Sequence, residues 1–392
     1  MAISNDKTVL ISGAGIAGPA LAFWLERRGF VPTVVERSRD LRIAGHAVDF
    51  RGVSREVLRR MDLLPEIEKQ ATHQGDMHYV DSRDRTRAVM PASFASGEVE
   101  IMRGDLARIF YEATKDRVEY RFGDAIAAMS EDADAVSVTF QGGETRRVGL
   151  VVGADGQHSA VRRLAFGPEQ DYLHHLGLYL AVARIPNLLD LNYSGKMFNA
   201  PGTILSVYPA RDNAEARALF FFHADPIDYD YRDTEAQKRI VAEHYAGQDW
   251  NVPRILPEML ASEEFYFDSV SQVRMESWSK GRVALLGDAA FCATPLSGMG
   301  SGMAVTGAYV LAQELERAAG DHAAAFSRYE TRMRPFVAKS QKLAQMATRG
   351  YVPTSQFGIG FMHLMNRLVA LLPGDMILKP AIDAANSVSL ED

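Results

Sequence analysis

The chain has 392 residues, enough for two domains or for one large domain with a substantial insertion. Its hydrophobic fraction of 47% and charged fraction of 24% are ordinary for a globular protein, and a net charge of -7 argues against nucleic acid as the main partner, because phosphate binding needs a basic face. Cys292 is the only cysteine, which excludes an internal disulfide, and the opening MAISNDK lacks a secretory signal, so a cytoplasmic location is expected.

The first element is a short apolar, β-branched run, Lys7 to Ser12, which reads as a buried strand. A glycine turn follows. Ile16 to Arg28 then has helical periodicity, with Pro19 in the first turn and Gly29 past the end, and Val31 to Val35 is a second strand closed by Glu36. Together these make a βαβ unit. A helix is expected over Gly104 to Ala113, and short strands over 118–122, 125–129 and 135–140, the last turning at Gln141-Gly142-Gly143. Leu150 to Gly153 is another buried strand, with a helix from Ser159.

From about His174 to Met275 the composition shifts toward aromatics and strand formers. Strands over 178–185, 204–208, 218–222 and 265–274 suggest a mostly antiparallel sheet, with a helix over 233–246. Arg282 to Leu286 is again a buried strand, followed by helices over 302–318 and 323–348. Phe357 to Pro380 is the most membrane-like stretch. His363, Arg367 and Asp375 interrupt it, so a packed C-terminal helix is expected rather than a transmembrane span, with membrane-surface contact as the alternative.

Three glycine-bearing stretches carry the chemistry. The first is Gly13-Ala14-Gly15-Ile16-Ala17-Gly18, between a strand and a helix. Gly13 permits the tight turn, Gly15 leaves room for a pyrophosphate, and Gly18 lets the helix pack on the sheet. The helix N-terminus offers N–H groups and partial positive charge to phosphates. Glu36, 18 residues beyond Gly18, stands where a carboxylate binds an unphosphorylated ribose. This pattern marks a dinucleotide site but does not separate FAD from NAD.

The second stretch is Gly153-Ala154-Asp155-Gly156, and the third is Leu285-Leu286-Gly287-Asp288-Ala289-Ala290 with Pro295-Leu296-Ser297-Gly298-Met299-Gly300. An acid at 288, after an apolar strand, can accept hydrogen bonds from a ribityl chain, or can simply cap the next turn. The helix beginning near Gly302 can stabilise negative charge at a flavin edge.

In this order, the three motifs resemble the single-component flavoprotein monooxygenases of the para-hydroxybenzoate hydroxylase type, over essentially the whole chain. Arg42-Ile43-Ala44-Gly45-His46-Ala47-Val48-Asp49 and Ile101-Met102-Arg103-Gly104-Asp105-Leu106 are similar to segments of the tetracycline-inactivating group. The resemblance implies an α/β fold: a Rossmann-like FAD-binding domain with an inserted antiparallel-sheet substrate domain and C-terminal helices. The expected divisions are 1–172 and 278–320 for FAD, 173–277 for substrate and 321–392 for the helices. It also implies FAD contacts from Gly13, Ala14, Gly15, Ala17, Gly18, Glu36, Arg37, Asp49, Arg103, Asp155, Asp288, Pro295, Gly298 and Gly300. Arg42 would lie near the nicotinamide cofactor, and the Gly153–Gly156 segment with Arg162 would serve both FAD and NAD(P)H.

There are departures. Phe291 stands where the family often has His, and Ala304 where Asn is common; neither change removes a backbone donor. Val182 and Gly195 stand near the places of the Gln and Arg that hold tetracycline in its group. The implied reaction is oxygenation of an aromatic or polyketide-like small molecule, with NADH or NADPH reducing FAD and a flavin C4a-hydroperoxide delivering one atom of O₂. The flavin performs the chemistry, so no catalytic side chain and no metal site are expected. The substrate-facing candidates are Arg184, Met197, Tyr208, Phe220, Phe222 and His223, of which strand alternation lets only some face the pocket. A monomer or homodimer is expected. The rival reading is an FAD-dependent reductase without oxygen insertion. A Trp-x-Trp halogenase pattern is missing, since Trp24, Trp250 and Trp278 are isolated.

Overall fold

The computed structural model describes residues 6–41, 45–92, 99–372 and 374–390. Thr8–Ser12 forms the centre of a six-stranded sheet, flanked by Leu150–Gly153 on one side and Val31–Glu36 on the other. Val283–Leu285 and Glu119–Phe122 extend it outward in parallel, and Ser279–Lys280 closes one edge antiparallel. Ile11 pairs with Val34 and Val152 in register. Helix Ala17–Arg27 buries nearly its whole length between this sheet and helix Gly300–Arg317, which is why its sequence is apolar almost all round. All three glycine motifs fall at the carboxyl ends of these strands, where open α/β sheets bind ligands.

A seven-stranded sheet forms the second layer. Its order is Phe265–Val273, Leu173–Pro186, Glu215–His223, Thr203–Ala210, Gly195–Ala200, Met77–Val80 and Thr86–Met90. Neighbours are antiparallel except for Gly195–Ala200 with Met77–Val80, which run parallel. The sequence reading anticipates four of these strands. The hairpin of residues 77–90 comes from the N-terminal part of the chain and completes the sheet at its edge. Helices Thr234–Tyr245 and Val252–Ala261 cover one face, with Val241, Tyr245, Ile255 and Met259 packed on Phe220, Phe222 and Phe267. The other face turns toward the nucleotide-binding layer and presents Met197, Tyr208, Val182 and Phe221.

Between the layers lies a two-stranded antiparallel ribbon, Ala47–Phe50 with Val99–Met102, in which Asp49 pairs with Glu100. The C-terminal stretch forms two helices, Gln356–Val369 and Gly374–Ala385, rather than one. Among the described residues no helix is long and apolar enough to cross a membrane.

Candidate functional site

The first glycine motif forms a tight turn. Gly13 has φ +107, and a Cβ there would stand 2.5 Å from the carbonyl oxygen of Ala154. A Cβ on Gly18 would meet the Gly13 carbonyl at 1.9 Å, so helix and turn touch backbone to backbone. Gly15 is different: a Cβ there would meet no backbone, only the end of the Arg103 guanidinium at 3.4 Å, ordinary contact with a flexible side chain. No side chain caps the helix that follows. Glu36 accepts the N–H of Ala14 at 2.8 Å and that of Ser38 at 2.9 Å.

The third motif closes on the first. A Cβ on Gly287 would stand 3.2 Å from the Ala17 methyl, and one on Gly300 would stand 3.8 Å from Asp288 Oδ1. The Asp288 side chain is exposed. Burial nevertheless pushes its carboxyl above the usual range, against the opposing pull of Arg103. A group both open to water and surrounded by protein faces into a deep concavity. Tyr266 has the same character: it is 36% exposed, yet burial raises its phenol well above the ordinary value. His46 beside Arg103 is held neutral, lowered to about 4 by burial and then by the Arg103 charge.

Asp49 sits opposite the Pro295–Ser297 turn, where a Cβ on Gly298 would lie 3.7 Å from its Oδ2. Oδ2 accepts from Arg51 at 3.3 Å, while Oδ1 is buried with no hydrogen-bond partner among the described residues. Thr294, just before Pro295, holds φ +89 with its buried hydroxyl also unpartnered. For a β-branched residue this backbone is an outlier, and such strain concentrates at ligand sites. No feature of the sequence marks it.

Asp155 is used inside the protein. It accepts from the Ser159 hydroxyl, from the N–H groups of Ala160 and Val161 at 2.8 and 3.2 Å, and from Ser12 at 3.4 Å. Arg162 is fully buried and donates to the Ala289 carbonyl at 3.0 Å, joining the second motif to the third. Arg37 lies at the rim, its guanidinium 5.6 Å from the centroid of the Tyr231 ring. Arg42 lies outside the described residues.

Of the substrate candidates, Met197 and Tyr208 are on the face turned toward the cradle, in an apolar cluster with Leu296 of the third motif. The Tyr208 hydroxyl accepts the Ala47 N–H at 3.1 Å, tying this face to the ribbon. Phe220 and Phe222 are corrections to the sequence reading. Alternation turns both to the other face, where Phe220 meets Tyr245 edge-on at 5.0 Å and Phe222 stacks on His244 at 4.0 Å. His223 is exposed at the strand end and bonds the carbonyl oxygens of Gly177 and Val352. Arg184 is occupied by an ion pair to Glu264 at 2.7 Å.

Two groups escaped the sequence reading. His158 bridges Glu169 at 2.9 Å and Asp268 at 3.0 Å, and these carboxylates, opposing its burial, raise it to about 10. Asp268 also accepts from the Tyr266 hydroxyl at 3.3 Å, so a line of polar groups runs from the concavity to a protonated imidazole. Glu100 is raised to about 7, chiefly by burial, with a smaller contribution from the Asp49 charge. Both groups depend on pairing between segments remote in sequence, which no local pattern reveals.

A parallel nucleotide-binding sheet, a backbone-tight glycine turn and an acidic third motif meeting at one concavity define a dinucleotide-binding flavoprotein. The chain belongs to the FAD binding domain family, which matches residues 6–344, and it is an FAD-dependent monooxygenase of the class A flavoprotein type. It is similar to an uncharacterised protein of Mycobacterium tuberculosis, 41% identical over 89% of this chain and 96% of that one. A flavin-dependent monooxygenase of Legionella longbeachae is 37% identical over 89% of this chain and 91% of its own. Among solved structures, tetracycline destructase Tet(51) superposes with a TM-score of 0.88 at 34% identity, covering 100% of both chains. The residues present fit FAD: the side-chain-free backbone of Gly15 beside the Arg103 guanidinium, the unpartnered Asp49 Oδ1 and the carboxylate of Asp288 are what a dinucleotide with a ribityl chain would meet.

Proposed function

We propose that this enzyme uses NADH or NADPH and O₂ to oxygenate an aromatic or polyketide-like small molecule held between the glycine cradle and the inner face of the seven-stranded sheet. When bound, FAD supplies the redox chemistry, taking up reducing equivalents and passing one oxygen atom to the substrate. The observation that carries this reading is the apolar face of Met197, Tyr208, Val182 and Phe221 set directly against Leu296 of the cradle turn.

The chain's own residues divide the remaining work. Gly13, Ala14, Gly15, Ala17 and Gly18 would receive the pyrophosphate, with Arg103 above it as counter-charge and Glu36 bracing the turn. Asp288 would accept from ribityl hydroxyls, and Asp49 with Pro295, Gly298 and Gly300 would border the ring. Asp155 would act through the backbone it fixes, and Arg37 would serve the outer rim. Met197 and the aliphatic wall keep water from the reacting atoms. Tyr266 would keep its proton and donate a hydrogen bond to Asp268, whose negative charge His158 stabilises.

Val182 lies in the apolar cluster, and the space beside Gly195 is filled by the Met77 thioether, 2.9 Å from where a Cβ would stand. Neither position offers a polar hook, which supports a substrate held mainly by apolar contact. The test is a panel of aromatic and polyketide compounds scored for accelerated NAD(P)H oxidation, oxygen uptake and a product heavier by one oxygen. Turnover of NAD(P)H with a reduced product and no oxygen uptake would instead make the enzyme a reductase.

A further inference from the structure

Helix Gln356–Val369 has two faces of opposite purpose. Its inner face closes the apolar chamber: Met362 packs into the cluster of Met197 and Tyr208, and His363 meets the Tyr79 ring edge-on at 5.8 Å. Its outer face should be polar for a helix on a water-exposed surface. Instead it carries Phe357, Phe361, Leu364 and Leu368 at helical spacing, continued by Leu371 and Met376 beyond the helix end. Phe357 is 84% and Leu371 81% exposed. A contiguous apolar surface of this kind marks an interaction site.

Charge says what covers it. The chain holds 50 acidic residues and is net negative, yet Pro335 to Gly374 contains no Asp or Glu at all. It does contain Lys339, Lys342, Arg349 and Arg367, all exposed. Lys339, Lys342, Met346 and Arg349 recur at the spacing of one face of helix His322–Tyr351, which leads into the apolar helix. A second copy of the chain meeting this surface across a two-fold axis would set the basic stripes against one another. An anionic lipid surface matches both features: acyl chains receive the apolar side chains, and headgroups receive the basic ones.

We propose that the outer face of helix Gln356–Val369, with the acid-free basic segment before it, docks the enzyme on anionic membrane surfaces and places the roof of the apolar chamber against the lipid. This stands on the helix face and charge pattern, independently of which substrate is oxygenated.

The experiment is co-sedimentation of the FAD-loaded, full-length protein with sucrose-filled vesicles. Vesicles of phosphatidylcholine containing phosphatidylglycerol should bind it, and pure phosphatidylcholine vesicles should bind little; added salt should weaken the binding. The pair Phe361→Ser with Leu368→Ser should cut partitioning at least about tenfold, the effect of losing one apolar side chain's burial. The pair Lys342→Glu with Arg349→Glu should remove the preference for the anionic lipid. Melting temperature and flavin content of both variants should match the parent, which separates docking from folding. Absence of sedimentation with anionic vesicles at low salt, or undiminished binding by both variants, overturns the proposal. So does light scattering that shows a dimer which Phe361→Ser with Leu368→Ser converts to monomer, because the face then belongs to a second copy.

Discussion

Glu36 accepts the backbone N–H of Ala14 at 2.8 Å, so the acid at the end of the second strand holds the glycine turn in shape before any ligand arrives. Its other oxygen accepts from Ser38, and neither bond can be replaced by a methyl group. Glu36→Ala should therefore destabilise the flavin-free protein by about 1–3 kcal/mol, through two donors left without acceptors. Glu36→Gln, which keeps one acceptor oxygen, should lose less. Urea unfolding of the apoprotein reads this directly, and an unchanged midpoint in Glu36→Ala would leave the acid with a ribose role alone.

The three glycines of the first motif should fail in different ways. Gly13→Ala forces a side chain into a carbonyl 2.5 Å away at φ +107, and Gly18→Ala meets one at 1.9 Å. Both should lower the melting temperature of the apoprotein or prevent folding. Gly15→Val faces only the Arg103 guanidinium, so its apoprotein should melt near the parent while flavin binding is lost. Circular dichroism melting beside flavin absorbance separates the two outcomes.

That contrast shows what a sequence can disclose. The strand–turn–helix spacing around Gly13 and the order of the three motifs are local patterns, and local patterns specify the nucleotide-binding layer. The second layer was less legible. Met77–Val80 joins Gly195–Ala200 in parallel across more than a hundred residues, and neither run has strong alternation. The middle strands were legible as strands but not as faces. Phe220 and Phe222 look like ligand contacts until register turns them toward Tyr245 and His244. The His158–Asp268 pair was invisible because it joins a loop after one strand to a strand of the other layer.

Glu100 gives the protein a stability gradient near neutral pH. Its carboxyl is raised to about 7, so between its ordinary range and that value the folded state holds a proton that the unfolded state has released. Stability must then fall as pH rises through this window. Glu100→Gln retains an acceptor for the Thr72 hydroxyl and cannot ionise. It should match the parent near pH 5 and exceed it at pH 8 by up to about 3 kcal/mol. Denaturant titrations at the two pH values check this; equal differences at both would remove Glu100 as the cause.

His158 acts with the opposite sign. Its imidazole is raised to about 10 from 6.5, so its contribution is complete below pH 6.5 and fades as pH climbs through 10. His158→Asn leaves Glu169 and Asp268 without their shared cation and should cost about 3 kcal/mol at pH 6. The variant and parent should converge toward pH 10. NMR titration of the imidazole provides a second check, and a midpoint near the ordinary histidine value would discard the clamp.

Asp288 and Arg103 should behave as a coupled pair toward the flavin. Burial raises the Asp288 carboxyl and Arg103 lowers it, so the arginine keeps an acceptor charged in a place that disfavours charge. Asp288→Ala should weaken FAD binding by about 1–3 kcal/mol through lost charge-assisted hydrogen bonds. Arg103→Met should weaken it too, both by removing the guanidinium over Gly15 and by letting Asp288 take up a proton more readily. The second effect has a pH signature. In Arg103→Met the loss of affinity should deepen as pH falls, whereas Arg103→Met with Asp288→Ala should lack that slope. The two losses should therefore not add in the double variant. Fluorescence titration of FAD across pH 5 to 8 with the four proteins measures the coupling. Additive losses with parallel pH profiles would mean the two side chains meet different parts of the cofactor. Unchanged affinity in Asp288→Ala would leave the residue without a part in holding the cofactor.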